Sequence, residues 1–228
     1  MLTTRDCILL PVTDDMISTA VEYSLSTDFH DNLRHRHLAV RLDSKIRGKI
    51  GELALRAWLE QNKISVVTAN ATTEKYSPDT DLLIDSGTLI SCEIKTSLIP
   101  DLWYDLHHTL QQADIKIIKR EQHYTDIHSD VHVQVFFNFY RDKRDNWLRS
   151  LHITSSDLTT NNIIDILEII KYRDQTYFAA WIDKITLAQQ LQKMDEPIWK
   201  YGKREFWKCK IATQAKRPIE LPLFLKNL

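Results

Sequence analysis

From Arg41 to Gln61, apolar residues recur at three- and four-residue spacing, with Ile46, Ile50, Leu53, Ala54, Ala57 and Trp58 marking one face of a long helix. A shorter helix is expected after Thr13, running to about Leu25. Ile64 to Thr68 is a β-branched run that reads as a strand, and Asn70 to Thr80, polar and holding Pro78, reads as a loop. Asp81 to Asp85, the turn Ser86-Gly87, and Thr88 to Thr96 read as strand, tight turn and strand. Leu106 to Arg120 has helical spacing. Val131 to Tyr140 alternates, with Val131, Val133, Val135, Phe137 and Phe139 sharing one side. Asn161 is placed to cap a third helix reaching about Tyr172, and Tyr177 to Ile182 and Glu205 to Ile211 are further strands. Interleaved helices and strands point to the α/β class with a mixed sheet. Gly48 and Gly51 interrupt the long helix at a cost of about 1 kcal/mol each relative to Ala, which a strand pressed against that turn would explain.

Composition narrows the class. The chain has 228 residues, 43% of them hydrophobic, which is enough for one sizeable core, and the whole reads as one unit. With 4 Gly and 6 Pro, collagen-like and low-complexity readings fail. No run approaches the roughly 18 apolar residues of a membrane span, and Met1 to Asp15 lacks the pattern of a secretory leader, so the expected location is cytoplasmic. Cys7, Cys92 and Cys209 are odd in number and far apart, as suits reduced thiols. The net charge of −1 excludes a polyanion-binding tail, so any such binding must be local. Two stretches are locally basic. Arg34 to Lys63 carries eight Lys and Arg against Asp43, Glu52 and Glu60, and Lys193 to Arg217 carries eight against Asp195, Glu196 and Glu205.

Candidate chemistry lies in the hairpin. On its second strand Ser91, Glu93 and Lys95 share one face and Cys92 and Ile94 the other. Ions two positions apart on an otherwise apolar strand are costly unless they pair, reach solvent or bind something. Asp81, at the start of the neighbouring strand, adds a second carboxylate at the same edge. Two carboxylates and a backbone carbonyl, that of Ile94, suit Mg²⁺, which shares its shell with water and substrate phosphate. Lys95 beside them can hydrogen-bond an attacking water and a phosphate oxygen, which points to phosphodiester hydrolysis.

With Arg47-Gly48-Lys49-Ile50-Gly51-Glu52-Leu53-Ala54 on the helix, Pro78-Asp79-Thr80-Asp81-Leu82-Leu83-Ile84 on the first strand and Cys92-Glu93-Ile94-Lys95-Thr96 on the second, the chain resembles the PD-(D/E)XK nuclease superfamily. The resemblance covers about Lys45 to Tyr140. It implies an α/β, restriction-endonuclease-like mixed β-sheet core flanked by helices, with N- and C-terminal additions. In that reading residues 1–228 form a single nuclease domain with a core at about 45–140, a helical extension at 1–40 and additions at 141–228. It further implies that Asp81, Glu93 and the Ile94 carbonyl hold Mg²⁺, with Mn²⁺ able to substitute. Lys95 would orient the water and Glu52 would support the metal. Asp79 follows Pro78 literally, but Asp81 immediately precedes the apolar strand and is the preferred ligand. The implied activity is a metal-dependent DNA endonuclease of restriction type, leaving 5′-phosphate and 3′-hydroxyl ends on double-stranded DNA and needing no nucleotide cofactor; such nucleases often act as homodimers. The alternatives are a repair, resolvase or mobile-element nuclease, and a non-cleaving nucleic-acid-binding subunit.

Further nucleic-acid contacts are expected from Lys49 and Thr96 near the hairpin. Lys200, Lys203 and Arg204 are added because they interleave with aromatic residues in Trp199 to Lys210. The blander readings are an exposed Glu93–Lys95 cross-strand pair, a turn role for Asp81 and a Glu52–Arg56 helix pair. His35-Arg36-His37 and His107-His108 lack the spacing of a zinc site.

Overall fold

The structure, a computed structural model, describes residues 1–27, 36–68 and 80–228. In chain order the elements are β1 (Ile8–Leu9), α1 (Asp14–Ser26), α2 (Leu38–Gln61), β2 (Ser65–Thr68), β3 (Leu82–Asp85), β4 (Leu89–Ile99), α3 (Leu106–Gln112), β5 (Ile117–Ile118), β6 (Val131–Tyr140), α4 (Arg141–Ser150), α5 (Thr160–Ile166), β7 (Thr176–Asp183), α6 (Lys184–Gln192), β8 (Ile198–Tyr201), β9 (Arg204–Trp207), α7 (Ile211–Gln214) and α8 (Leu221–Lys226). The protein is thus mixed α/β. Six strands form one sheet in the order β1-β7-β6-β4-β3-β2, and β5-β9-β8 form a second, smaller one. β4 and β6 run parallel, joined through α3, while the other pairs in the large sheet are antiparallel.

Local chemistry accounts for most boundaries. Thr13 caps α1 by accepting from the Met16 amide at 3.3 Å. Gly87, at φ +91°, supplies the left-handed turn between β3 and β4. At Gly51 a Cβ would stand 2.5 Å from Thr96 Cγ2, so α2 lies against β4 at the distance that only glycine permits. Gly48 has nothing within 4 Å, and strand contact therefore explains one of the two helix glycines.

Three expected elements differ. The helix over Leu106 to Arg120 stops at Gln112. Asp114 instead bridges Lys210, the Ile115 amide reaches the Cys209 carbonyl at 2.9 Å, and Ile117 and Ile118 pair with β9. The β-branched Ile115 and Ile117 are buried by that arrangement, and tertiary pairing overrides the helical spacing. Thr159, not Asn161, caps α5, which ends at Ile166 before Glu168 at φ +48°. The last strand, expected over Glu205 to Ile211, is β9 of a hairpin whose first arm, β8, gave no clear signal.

Each face of the large sheet meets its own core. Toward α1, α2 and α8 it presents Cys92, Ile94, Val131, Val133, Val135 and Trp181. Toward α3, α6 and the small sheet it presents Ile99, Phe136, Ala180 and Ile182. The first seven residues of β6 are therefore buried on both faces. α2 carries most of the first basic stretch, and β8, β9 and α7 carry much of the second. Much of their charge is paired locally, as in Arg47–Asp43, Lys49–Glu52, Arg56–Glu60, Lys200–Glu205 and Lys216–Asp183. Asp43, fully buried, is held by Arg47 Nε at 2.8 Å, Arg144 Nη2 at 2.7 Å and the Tyr172 hydroxyl at 2.6 Å, fastening α2 to α4. The cysteines are free thiols. No helix among the described residues is long and apolar enough to cross a membrane.

Candidate active site

β4 outruns its antiparallel neighbour. β3 pairs with β4 as far as Leu82 opposite Cys92, while β4 continues to Ile99 on its β6 side. Beyond Cys92 the β3-side edge of β4 faces no strand among the described residues. Asp81 turns into the start of that gap. Its amide donates to the Cys92 carbonyl at 3.0 Å, and its Oδ2 accepts from the Ile94 amide at 2.6 Å. Because a strand residue sends its N–H and C=O to the same side, the Ile94 carbonyl leaves on this open edge too.

Glu93 and Lys95 share the face turned toward the second core. Lys95 Nζ stands 2.5 Å from Glu93 Oε1, with Glu93 buried and Lys95 reaching solvent. Glu93 Oε2 lies 2.9 Å from Nδ1 of His132, its register partner on β6. Gln134, the register partner of Lys95, donates through Nε2 to the Lys95 carbonyl at 3.0 Å and to Ser97 Oγ at 3.1 Å.

The carboxylates feel one another. Burial, together with the charges of Glu52 and Glu93, pushes the Asp81 carboxyl up to about 7 against the opposing pull of the Ile94 amide and Lys95. Burial also opposes the charge on Glu93, but the hydrogen bond from His132 and the nearby Lys95 win, holding that carboxyl below its usual value. An acid kept near neutrality by burial and like charge, beside hard oxygen donors, is the electrostatic setting that a divalent cation relieves. Among the described residues, no three His, Cys, Asp or Glu side chains converge closely enough to hold an ion as they stand.

Compared with models of protein families, with curated proteins and with solved structures, the chain matches none.

The structure brings Asp81, Glu93 and Lys95 together and sets Glu52 within electrostatic reach of Asp81. Glu52 is paired with Lys49 at 2.6 Å rather than with Arg56, which bonds Glu60. Lys49 also lies 4.9 Å from the centre of the Tyr23 ring, so this cation is partly engaged. Thr96 turns its methyl to Gly51, on the face opposite Lys95, which makes it a packing residue. Lys200, Lys203 and Arg204 sit at the tip of the β8–β9 hairpin, where Trp199 stacks on Phe206 at 4.3 Å. Lys200 is tied to Glu205 at 2.9 Å. Pro78 and Asp79 lie outside the described residues, as do Arg34 and His35.

His132 and Gln134 were missed. The signal was available, because both are polar positions in the otherwise apolar β6, the same anomaly that singled out Glu93 and Lys95 on β4.

Proposed function

We propose that this chain is a metal-dependent endodeoxyribonuclease of restriction-endonuclease-like fold. The observation that carries the reading is the convergence of Asp81, Glu93, the Ile94 carbonyl edge and Lys95 at the one place where β4 outruns β3. The fold offers support. α2, the β3–β4 hairpin, α3 and the parallel β6 follow in the helix, hairpin, helix, strand order that the resemblance implies.

Asp81, Glu93 and the Ile94 carbonyl are the oxygen donors that would hold Mg²⁺ or Mn²⁺, with Glu52 in support. When bound, the cation supplies positive charge against the reacting phosphate. Lys95, paired with Glu93 in the metal-free site and open to solvent, would donate hydrogen bonds to the attacking water and to a phosphate oxygen. The β4–β6 pair supplies rigidity, which is most of what phosphoryl transfer asks of a protein. The substrate is DNA, and the products carry 5′-phosphate and 3′-hydroxyl ends.

Supercoiled plasmid and phage DNA, incubated with Mg²⁺ or Mn²⁺, are expected to be cleaved by the wild type and left intact by Lys95→Ala or in EDTA. One observation favours a second reading, a non-cleaving nucleic-acid-binding subunit. Both Glu93 oxygens and one of Glu52 are already engaged by Lys95, His132 and Lys49. Salt-dependent DNA binding without cleavage of duplex, branched or single-stranded substrates would establish that alternative. Neither binding nor cleavage would overturn both.

A further inference from the structure

His132 is 2% exposed in the middle of an apolar strand, a position at which a polar ring is expensive unless both nitrogens are answered. One is answered by Glu93, and Nε2 is buried without a hydrogen-bond partner among the described residues. The ring and Glu93 line a narrow pocket with Ile117, Ile118 and Ile127 and with the polar Arg120, Glu121 and His128. An apolar residue in place of His132 would pack there at least as well, so stability alone does not select it. What the ring does provide is a fixed donor for a carboxylate oxygen that has no other donor in view.

Both oxygens of Glu93 are thereby differentiated. Oε2 is tied to β6 through a buried ring with little freedom to move, whereas Oε1 is tied to Lys95, a flexible chain that reaches solvent. We propose that His132 is the positioning residue of this site, clamping Glu93 Oε2 so that Oε1 alone is presented, with Lys95 the partner that yields when a divalent cation arrives. The carboxylate would then meet a cation through one oxygen without turning, leaving Lys95 free to donate to water and phosphate. This rests on the reading of Asp81 and Glu93 as ligands. Without the clamp, Glu93 is free to rotate and to pair with Lys95 through either oxygen, which competes with cation binding. Loss of such an outer-shell partner typically costs about 10–100-fold in metal affinity.

The test is Mn²⁺ binding by the full chain, followed by calorimetry and by the electron paramagnetic resonance of the free ion, which needs no catalytic turnover. The variants are His132→Ala, His132→Asn and His132→Gln. Asn carries its amide nitrogen where Nδ1 stands, and Gln carries it one atom further out. The wild type is expected to bind Mn²⁺, His132→Ala and His132→Gln to bind about 10–100-fold more weakly, and His132→Asn to return to within a few-fold of wild type. Melting curves on the same samples establish that the variants are folded. A purely structural role would rank the variants by melting temperature and not by the position of their amide. Wild-type binding with unchanged affinity in folded His132→Ala, or with Asn no better than Gln, overturns the positioning role and leaves the ligand assignment standing. A wild type that takes up no Mn²⁺ overturns both.

Discussion

Replacing Gly51 by Ala sets two opposing terms against each other at one carbon atom. Helix propensity favours Ala by about 1 kcal/mol in a helix interior. Against it, the new Cβ would stand 2.5 Å from Thr96 Cγ2, about 1 Å inside the 3.5–4.0 Å at which carbon atoms attract. Thr96 is β-branched and lies in the ladder with Val135, so relief requires a rotamer change or a shift of α2 from β4, and overpacking of this kind costs about 1–3 kcal/mol. The net expectation for Gly51→Ala is a loss of up to about 2 kcal/mol. Gly48, three residues earlier on the same helix, has nothing within 4 Å, so Gly48→Ala should gain about 0.5–1 kcal/mol. Two substitutions of equal propensity thus separate in stability. Urea unfolding measures both, and Thr96→Ser, which deletes the offending methyl, should recover at least about 1 kcal/mol in the double variant. A Gly51→Ala protein as stabilised as Gly48→Ala, or no coupling to Thr96→Ser, would refute the close approach of helix and strand. Because Glu52 and Lys95 are the next residues on each side, the same shift should lower cation affinity.

The remaining predictions concern charge. Asp43→Asn leaves Arg47 and Arg144 buried without their shared carboxylate and should cost about 3–5 kcal/mol in urea unfolding, whereas Arg56→Ala, in an exposed helix pair, should change stability by no more than about 0.5 kcal/mol. Similar losses would mean that the buried network is not a fastening. In metal-free buffer, the Asp81 carboxyl at about 7, raised from an unfolded value of 3.8, contributes stability that is fully present below pH 4 and lost as pH rises through 7, at most about 4 kcal/mol. Wild type should therefore fall behind Asp81→Asn in melting temperature between pH 5 and 8, and a pH-independent difference would refute this. If the hairpin contacts DNA, Lys203→Ala and Arg204→Ala should each flatten the dependence of log affinity on log salt by about 0.9, while Lys200→Ala, already held by Glu205, should do little.

The long helix, the Ser86-Gly87 turn and the β6 strand were legible in the sequence because each rests on a local signal, whether apolar period, turn residue or alternation. So was the association of Asp81, Glu93 and Lys95, since alternation and a tight turn bring them to one end of the hairpin, although the turn holds three residues, Ser86 to Thr88, and sets Asp85 opposite Leu89. What stayed hidden depends on distant partners. Ile117 and Ile118 fall within the helical spacing but pair with β9, about ninety residues later in the chain. The inward polar positions of β6, His132 and Gln134, gain meaning only when the parallel register sets them beside Glu93 and Lys95. The basic stretches looked additive along the chain, but their positive charges are answered by neighbours such as Asp43, Glu52 and Glu205.

The two faces of the central sheet supply an argument for chemistry that needs no motif. Toward the first core, β4 and β6 present Cys92, Ile94, Val131, Val133 and Val135, a layer that is apolar but for Thr96, which turns its methyl to Gly51. Toward the second, the same strands present Ser91, Glu93, Lys95, Ser97, His132 and Gln134, positions at which apolar residues would hold the sheet as well or better. The stripe limits its own cost by closing on itself. Ser91 bonds Asp130 at 2.7 Å, Glu93 takes Lys95 and His132, and Gln134 spans Ser97 and the Lys95 carbonyl. Closure fails at two places, the buried His132 Nε2 and the Asp81 carboxyl, which burial, aided by Glu52 and Glu93, raises to about 7. Both failures lie in the immediate surroundings of Glu93, where β4 outruns β3. On the large sheet these departures gather around one residue, the buried unpartnered atoms of Asp114, Gln190, Trp199 and Trp207 lying on other elements, and such gathering is what a functional site leaves in a fold that must also remain stable.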